Sequence, residues 1–218
     1  MPIKFLSHYI DENTPLYGGV KDISISAKSN ISAGDSANSV YLKFANHTGT
    51  HIDFPRHFSE NGKTINSYNA DFWIFQSVFM IKYQAKIDEI IDVDILKNFK
   101  IPSSTEFLII KTGFQKHRRC KKYWNNNPGL SPNLAYEIKK KCPKIKAVGF
   151  DFISLTSFQN RPLGRKAHKA FLVENDILII EDMKLDAVSE TILKVIALPL
   201  MINSIDGAPI TLIAEDTP

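Results

Sequence analysis

Cysteine is scarce in this chain. Only Cys120 and Cys142 occur among 218 residues, which excludes a disulfide framework, and neither sits in a Cys-x-x-Cys pair. They read as free thiols of a reducing compartment. Long apolar runs are missing too: no stretch approaches the roughly 20 residues of a membrane span. The N-terminus lacks the basic segment and apolar core of a signal peptide. A cytoplasmic protein with no membrane partner is expected. Charge of one sign is not in excess either, the formal net charge being +4. Basic residues cluster only at His117-Arg118-Arg119-Cys120-Lys121-Lys122 and at Lys139-Lys140-Lys141. Such short runs suit solvated faces better than a nucleic-acid surface, so no nucleic-acid partner is expected.

What is present is ordinary in bulk. The apolar fraction is 44% and the charged fraction 23%, as in globular proteins generally. No repeat, linker or low-complexity segment interrupts residues 1–218, and one domain is expected. Alternation, short apolar runs and turn residues predict strands at 3–10, 22–28, 39–46, 77–83, 107–111, 145–150, 177–181, 193–200 and 210–214. Helices are predicted at 87–97, from the Ser131-Pro132 start to about Lys141, and at 167–174. Residues 65–75 suit a loop or short helix, and 114–130 and 154–166 suit polar loops. Many short strands, some alternating and some continuously apolar, argue for an α/β protein with a mixed β-sheet core and flanking helices.

One stretch departs from this ordinary pattern. Three of the six histidines fall between His47 and His57, in His47-Thr48-Gly49-Thr50-His51-Ile52-Asp53-Phe54-Pro55-Arg56-His57. Imidazole and carboxylate together suit a divalent ion such as Zn²⁺ or Mn²⁺. His47, His51, Asp53 and His57 all hold odd positions, which share one face of an extended chain, while Ile52 and Phe54 point to the other. A regular strand cannot be the whole account. It would separate the Cα atoms of His47 and His51 by roughly 13 Å, but those of His51 and Asp53 by only about 6.6 Å. A bend at Thr48-Gly49 is therefore predicted, where glycine tolerates unusual dihedrals. Thr48 and Thr50 suit either orientation of ligands or plain strand formation. Further downstream, His168 and Glu181 are the best additional ligands, Glu181 because the apolar strand at 177–180 delivers it at its end.

The chain resembles the cyclase family of metal-dependent hydrolases, which includes bacterial kynurenine formamidases and isatin hydrolases. Residues 47–57 match every fixed position of that family's His-x-Gly-Thr-His-x-Asp-x-Pro-x-His motif. Leu6-Ser7-His8 with Pro15-Leu16-Tyr17-Gly18-Gly19 is similar to its opening. Lys111-Thr112-Gly113, Gly129-Leu130-Ser131 and Val148-Gly149-Phe150-Asp151 with Ser154 resemble its middle landmarks. The run from His168 to Glu181, then Leu198-Pro199-Leu200 and Asp206-Gly207-Ala208-Pro209, resembles its close. The interval from His168 to Glu181 is slightly longer than in the family, with the extra length placed in Val173-Glu174-Asn175-Asp176.

The resemblance implies a swivelling β/β/α-like single domain. It implies that His47, His51 and Asp53 bind metal, that His57 is the catalytic acid/base, and that His168 and Glu181 complete a second metal position or a proton-handling shell. One or two ions, Zn²⁺ or Mn²⁺, are implied, with a homodimer or higher homo-oligomer. The expected function is hydrolysis of a carbon–nitrogen amide bond in a small, aromatic substrate, arylformamidase-like, with cyclic-amide hydrolysis as the alternative. A non-catalytic metal-binding protein is the alternative from another class. Aromatic residues expected to line the substrate pocket are Tyr17, Phe72, Trp73, Tyr123 and Trp124.

Overall fold

The computed structural model describes residues 2–189 and 191–217. In chain order its strands are β1 (Ile3–Phe5), β2 (Ser24–Ser29), β3 (Ser39–Lys43), β4 (His51–Asp53), β5 (Ile74–Phe75), β6 (Val78–Lys82), β7 (Ile90–Ile91), β8 (Phe107–Lys111), β9 (Gly129–Leu130), β10 (Ala147–Phe150), β11 (Leu178–Glu181), β12 (Ile192–Pro199) and β13 (Gly207–Asp216). The helices are α1 (Lys122–Asn125), α2 (Pro132–Lys141) and α3 (Arg161–His168), with short 3-10 turns between elements. Among the described residues no helix is long and apolar enough to cross a membrane.

Nine strands form one mixed sheet in the order β5-β12-β13-β4-β11-β10-β8-β6, with β1 added on β13. β6, β8, β10 and β11 run parallel. β4 lies antiparallel to β11 on one side and to β13 on the other. The two ends of the order, β5 and β6, are close neighbours in sequence, so the sheet curls back into a nearly closed, barrel-like core. The parallel strands are continuously apolar because both faces are covered: Phe107, Leu108, Ile109 and Ile110 of β8 are all fully buried. α2 begins where the Ser131-Pro132 signal places it, the Ser131 hydroxyl accepting a hydrogen bond from the Leu134 backbone.

Several segments differ from the expectation, among them the loop expected at 114–130, which holds α1 and β9. Residues 87–97 form no helix. Ile90–Ile91 pair with Gly129–Leu130 as parallel strands, and Asp92 caps a 3-10 turn at Val93–Leu96; pairing with a distant segment overrides the local spacing. The segment expected to be a loop at 154–166 holds α3 from Arg161 onward, capped by Asn160 with a proline in its first turn. Its outer face is basic, so no apolar periodicity marked it. The expected half-buried strands at 22–28 and 39–46 form the separate β2–β3 hairpin. Its apolar side chains face outward, with Val40 and Leu42 55% and 61% exposed. β3 also stops at Lys43, so the histidine motif is delivered by a loop and then by β4.

β4 is the strand that positions the site. Its central Ile52 and the Phe54 that follows it are fully buried, Phe54 lying against the rings of Tyr68 and Trp73 at centroid distances of 5.7 and 6.2 Å. Replacing Phe54 with alanine removes this anchor and leaves a cavity, at a cost of about 3–5 kcal/mol. Chemical denaturation should show a lowered midpoint with an unchanged slope; a shift under about 1 kcal/mol would mean that β4 is held otherwise.

Candidate active site

The His47–His57 segment reaches its shape through one bend. Gly49 has φ +63°, in the left-handed region, as the spacing argument requires. His51 and Asp53 then occupy alternate positions on β4 and project to one side, with the His51 Nε2 atom 3.4 Å from Asp53 Oδ1. The bend brings His47 back over them, its Nδ1 2.8 Å from the same Asp53 Oδ1. This approach also depends on Gly207, the β13 residue paired with Asp53. A Cβ there would stand 2.3 Å from the His47 ring.

The downstream residues arrive through the sheet. Glu181 lies directly across from His51 in the β4–β11 register, and its Oε2 is 3.4 Å from His51 Nε2. Glu181 Oε1 accepts a 2.7 Å hydrogen bond from the Leu155 backbone, which turns the other oxygen toward the cluster. His168 ends α3 and places Nε2 3.7 Å from Asp53 Oδ2 and 3.6 Å from Glu181 Oε1. α3 passes directly into a π-helical turn, Lys169–Glu174. Such a wide turn accommodates additional length, and His168 and Glu181 still converge.

The two buried histidines are oriented in the same way. His51 Nδ1 donates to the Gly49 carbonyl at 2.8 Å, and His168 Nδ1 donates to the Gly164 carbonyl at 2.9 Å. Each ring thereby directs Nε2 at the carboxylates, the arrangement that backbone carbonyls impose on metal-binding imidazoles. The donor atoms fall into two overlapping groups, His47–Asp53–His57 and His51–Asp53–Glu181, each within 4.8 Å. Asp53 belongs to both. This donor set of imidazole nitrogens and carboxylate oxygens fits a divalent ion, with His168 beside the second group.

Asp206 is the residue that sequence reasoning passed over. Its Oδ2 is 3.1 Å from His47 Nε2 and 3.0 Å from His57 Nδ1. Asn46 holds its other oxygen at 2.8 Å. The Asp206-Gly207 turn was visible in the sequence, but nothing local indicated that its carboxylate faces two histidines. His57 itself sits on the 3-10 turn Pro55–His57, stacked near His47 at a centroid distance of 4.0 Å. Thr50 serves the fold: its hydroxyl donates to the Asp182 carbonyl and accepts from the His8 backbone.

Charge is tightly balanced here. Burial opposes protonation of His51, but Glu181 and Asp53 raise its pKa to about 9. His47 and His168 are raised against burial too, by Asp53 and by Glu181 respectively. Asp53, although buried, is held well below the usual carboxylate range by His47 and His51. His57 moves the other way, because burial outweighs the pull of Asp53.

All six residues line one cavity of about 390 Å³, together with Tyr17, Arg161 and Arg165. The other aromatic residues expected there lie elsewhere. Phe72 and Trp73 belong to an aromatic cluster with Phe54, Tyr68 and Phe75 in the core. Trp124 borders a separate cavity beside Gly19 and Arg118. Tyr123 is fully buried, its hydroxyl bonded to Asp182. Aromatic residues carry large apolar area, and core burial claims them first.

The Cyclase family model matches residues 5–156, most of the chain. The protein belongs to the cyclase family. Among its relatives, the kynurenine formamidase of Geobacillus thermodenitrificans (strain NG80-2) is 28% identical over 208 residues, covering 94% of this chain and 93% of that one. Cyclase-like protein 2 of Arabidopsis thaliana is 26% identical over 190 residues, covering 84% and 67%. The fold is shared with isatin hydrolase A from Labrenzia aggregata bound to benzyl benzoate, at a TM-score of 0.81, 21% identity, and 98% and 93% coverage. An isatin hydrolase bound to the product analogue thioisatinate gives a TM-score of 0.82 at 20% identity, covering 99% and 92%.

The protonation pattern of this cyclase-family site sets its pH response. His51 is raised from 6.5 to about 9, so in the metal-free protein its contribution to stability is complete below pH 6.5 and is lost as pH rises through about 9. A bound ion must displace that proton. Zn²⁺ affinity is expected to rise from pH 6 to 9, with proton release visible by calorimetry in buffers of different ionisation enthalpy. A pH-independent affinity would exclude His51 as a ligand.

Proposed function

We propose that the protein is a metal-dependent hydrolase of a non-peptide carbon–nitrogen amide bond, arylformamidase-like, acting as one catalytic domain on a small aromatic substrate. The observation that carries this reading is the convergence of His47, His51, Asp53, His168 and Glu181 on the floor of an open cavity that His57 also faces. Formamidase relatives spanning nearly the whole chain support the reaction type. His47, His51 and Asp53 are the proposed primary ligands, with His168 and Glu181 completing a second position that shares Asp53. Zn²⁺ and Mn²⁺ both suit this donor set.

A bound divalent ion supplies water acidified toward neutral pH and polarises a carbonyl oxygen. The protein's residues do the rest. Asp206 accepts the His57 Nδ1–H and so leaves Nε2 open to take a proton. The lowered His57 pKa keeps that nitrogen unprotonated at neutral pH. His57 takes that proton from the water whose oxygen bonds to the carbonyl carbon, and passes it to the leaving nitrogen as the C–N bond breaks. Asp206 steadies the imidazolium that forms between these transfers. The same oxygen of Asp206 also faces His47, coupling the proton carrier to a proposed ligand.

Cyclic-amide hydrolysis is the second reading, favoured by the shared fold of the isatin hydrolases. A cytoplasmic location fits the free thiols, and a homodimer fits the outward apolar residues of the β2–β3 hairpin.

Metal analysis with turnover assays on N-formylkynurenine, formanilide and isatin, with Zn²⁺ or Mn²⁺ supplied separately, tests the reading. Metal-dependent release of formate is the expected result. A metal-loaded, folded protein inactive on all of these would favour a non-catalytic binding protein. His57→Ala is expected to keep its metal while turnover falls by about 10²–10⁴. Loss of metal instead would make His57 a ligand, a role its place within 4.8 Å of His47 and Asp53 donors also permits.

A further inference from the structure

His168 and Glu181 reach the site from different elements, yet one irregular loop touches both. Residues 154–157 form no helix or strand. The Leu155 backbone donates to Glu181 Oε1 at 2.7 Å, and the Ser154 hydroxyl donates to the same oxygen at 3.3 Å. The Thr156 backbone in turn donates to Ser154 Oγ at 3.2 Å, which leaves the hydroxyl hydrogen for Glu181. Thr156 Oγ1 lies 3.2 Å from His168 Nδ1. Gly164, whose carbonyl orients His168, leaves room for that contact: a Cβ there would stand 2.2 Å from Thr156 Oγ1. The loop therefore holds both downstream residues of the site.

Such a loop has no ladder of its own, and its buried backbone groups need partners from elsewhere. Asn127 supplies them. Its side chain is fully buried. Nδ2 meets the carbonyl oxygens of Ser154 and Thr156 at 3.1 and 2.9 Å, and that of Pro128 at 2.8 Å. Oδ1 accepts from the Phe158 backbone at 3.2 Å. One amide thus ties three points of the loop together. β9 adds a further tie, the Leu130 backbone donating to the Leu155 carbonyl at 3.0 Å. The neighbouring Asn126 has a different use, its amide reaching Asp88. The other half of the site is held by other means. The Gly49 carbonyl orients His51, while Asp53 and Asp206 fix His47.

We infer that Asn127 is a positioning residue for the His168–Glu181 half of the site, so that affinity for a second ion is set by the 154–158 loop independently of the first. Asn127 bonds the loop, and the loop bonds the two proposed ligands. Loss of its amide leaves buried loop carbonyls unpaired and returns rotational freedom to Glu181 and His168. The inference rests on the metal-ligand reading above, and not on the amide chemistry.

Calorimetric titration with Zn²⁺ or Mn²⁺ compares wild type, Asn127→Asp, Asn127→Ala and Glu181→Gln, each as the full chain, with bound metal read by elemental analysis. Wild type should take up two ions in separate steps. Glu181→Gln should lose the second step, which identifies it. Asn127→Asp keeps the shape and the Phe158 contact but offers the loop carbonyls no N–H. It should weaken the second step by roughly 10–100-fold and leave the first unchanged. Mn²⁺ electron paramagnetic resonance should then show a lone ion where wild type shows a pair. Asn127→Ala should do the same; if it fails to fold, Asn127→Asp decides. General instability does not imitate this result, because an unfolded fraction lowers both apparent affinities alike. Val195→Ala, a core variant on β12, is the control and should leave the ratio of the two affinities unchanged. Asn127 variants in which both steps weaken together, or neither weakens, overturn the positioning role; if Glu181→Gln still loses the second step, the ligand reading stands. A wild type that binds one ion or none overturns the second position itself, and the role of Asn127 with it.

Discussion

Asp53 is a carboxylate buried to 1% exposure, and a lone charge in such a place is expensive enough to unfold a domain unless it is paired. Here four histidines answer it. His47 and His51 contact its Oδ1, His168 faces its Oδ2, and His57 completes one of the two donor groups it joins. Much of the surrounding architecture keeps that pairing in place. The β4–β11 register sets Glu181 opposite His51, the β4–β13 register sets Gly207 under His47, and α3 ends where His168 can reach inward. Positive charge at this point is interchangeable in kind: protons on the imidazoles or a divalent cation can balance the same carboxylates. That exchange links the site's electrostatics to its proposed chemistry.

The outer ring of partners has the same logic. Backbone carbonyls of Gly49 and Gly164 orient His51 and His168, the Leu155 backbone turns Glu181, and Asn46 turns Asp206. None of these groups needs chemistry of its own. Each removes a rotational choice from a residue that does, which is how a rigid scaffold keeps a site ready. Asp206 stands between the two levels, because one of its oxygens meets both a proposed ligand and the proposed proton carrier. The cavity above shows a division of charge: histidines and carboxylates at the floor, and Arg161 and Arg165 with Tyr17 at the edge.

Where sequence reasoning succeeded, the signal was local. Gly49 had to bend the chain because extended geometry separates His47 from His51 too far to share an ion. Ser131-Pro132 had to start a helix because its capping chemistry lies within four residues. Ile177 to Ile180 had to be a deep strand, and so its terminal Glu181 had to be placed with care. Where reasoning failed, the deciding partner was remote. Residues 87–97 kept a helix-like spacing but pair with Gly129–Leu130, and Phe72, Trp73 and Trp124 were drawn into packing away from the expected cavity. The basic surface of α3 hid a helix that carries both His168 and the two cavity arginines.

The amino-acid sequence by itself determined the metal-type chemistry, the bend at Gly49 and the sided presentation of His51 and Asp53, because spacing and side-chain type act over a few residues. It also placed the chain near the cyclase family through a motif that is nearly continuous. Only the tertiary structure decided that Asp206 faces His57, that Tyr17 alone of the expected pocket aromatics lines the cavity, and that Arg161 and Arg165 stand beside it. These are contacts between segments far apart in the chain, set by sheet register and helix packing, and no local pattern encodes which distant side chain will fill a given space.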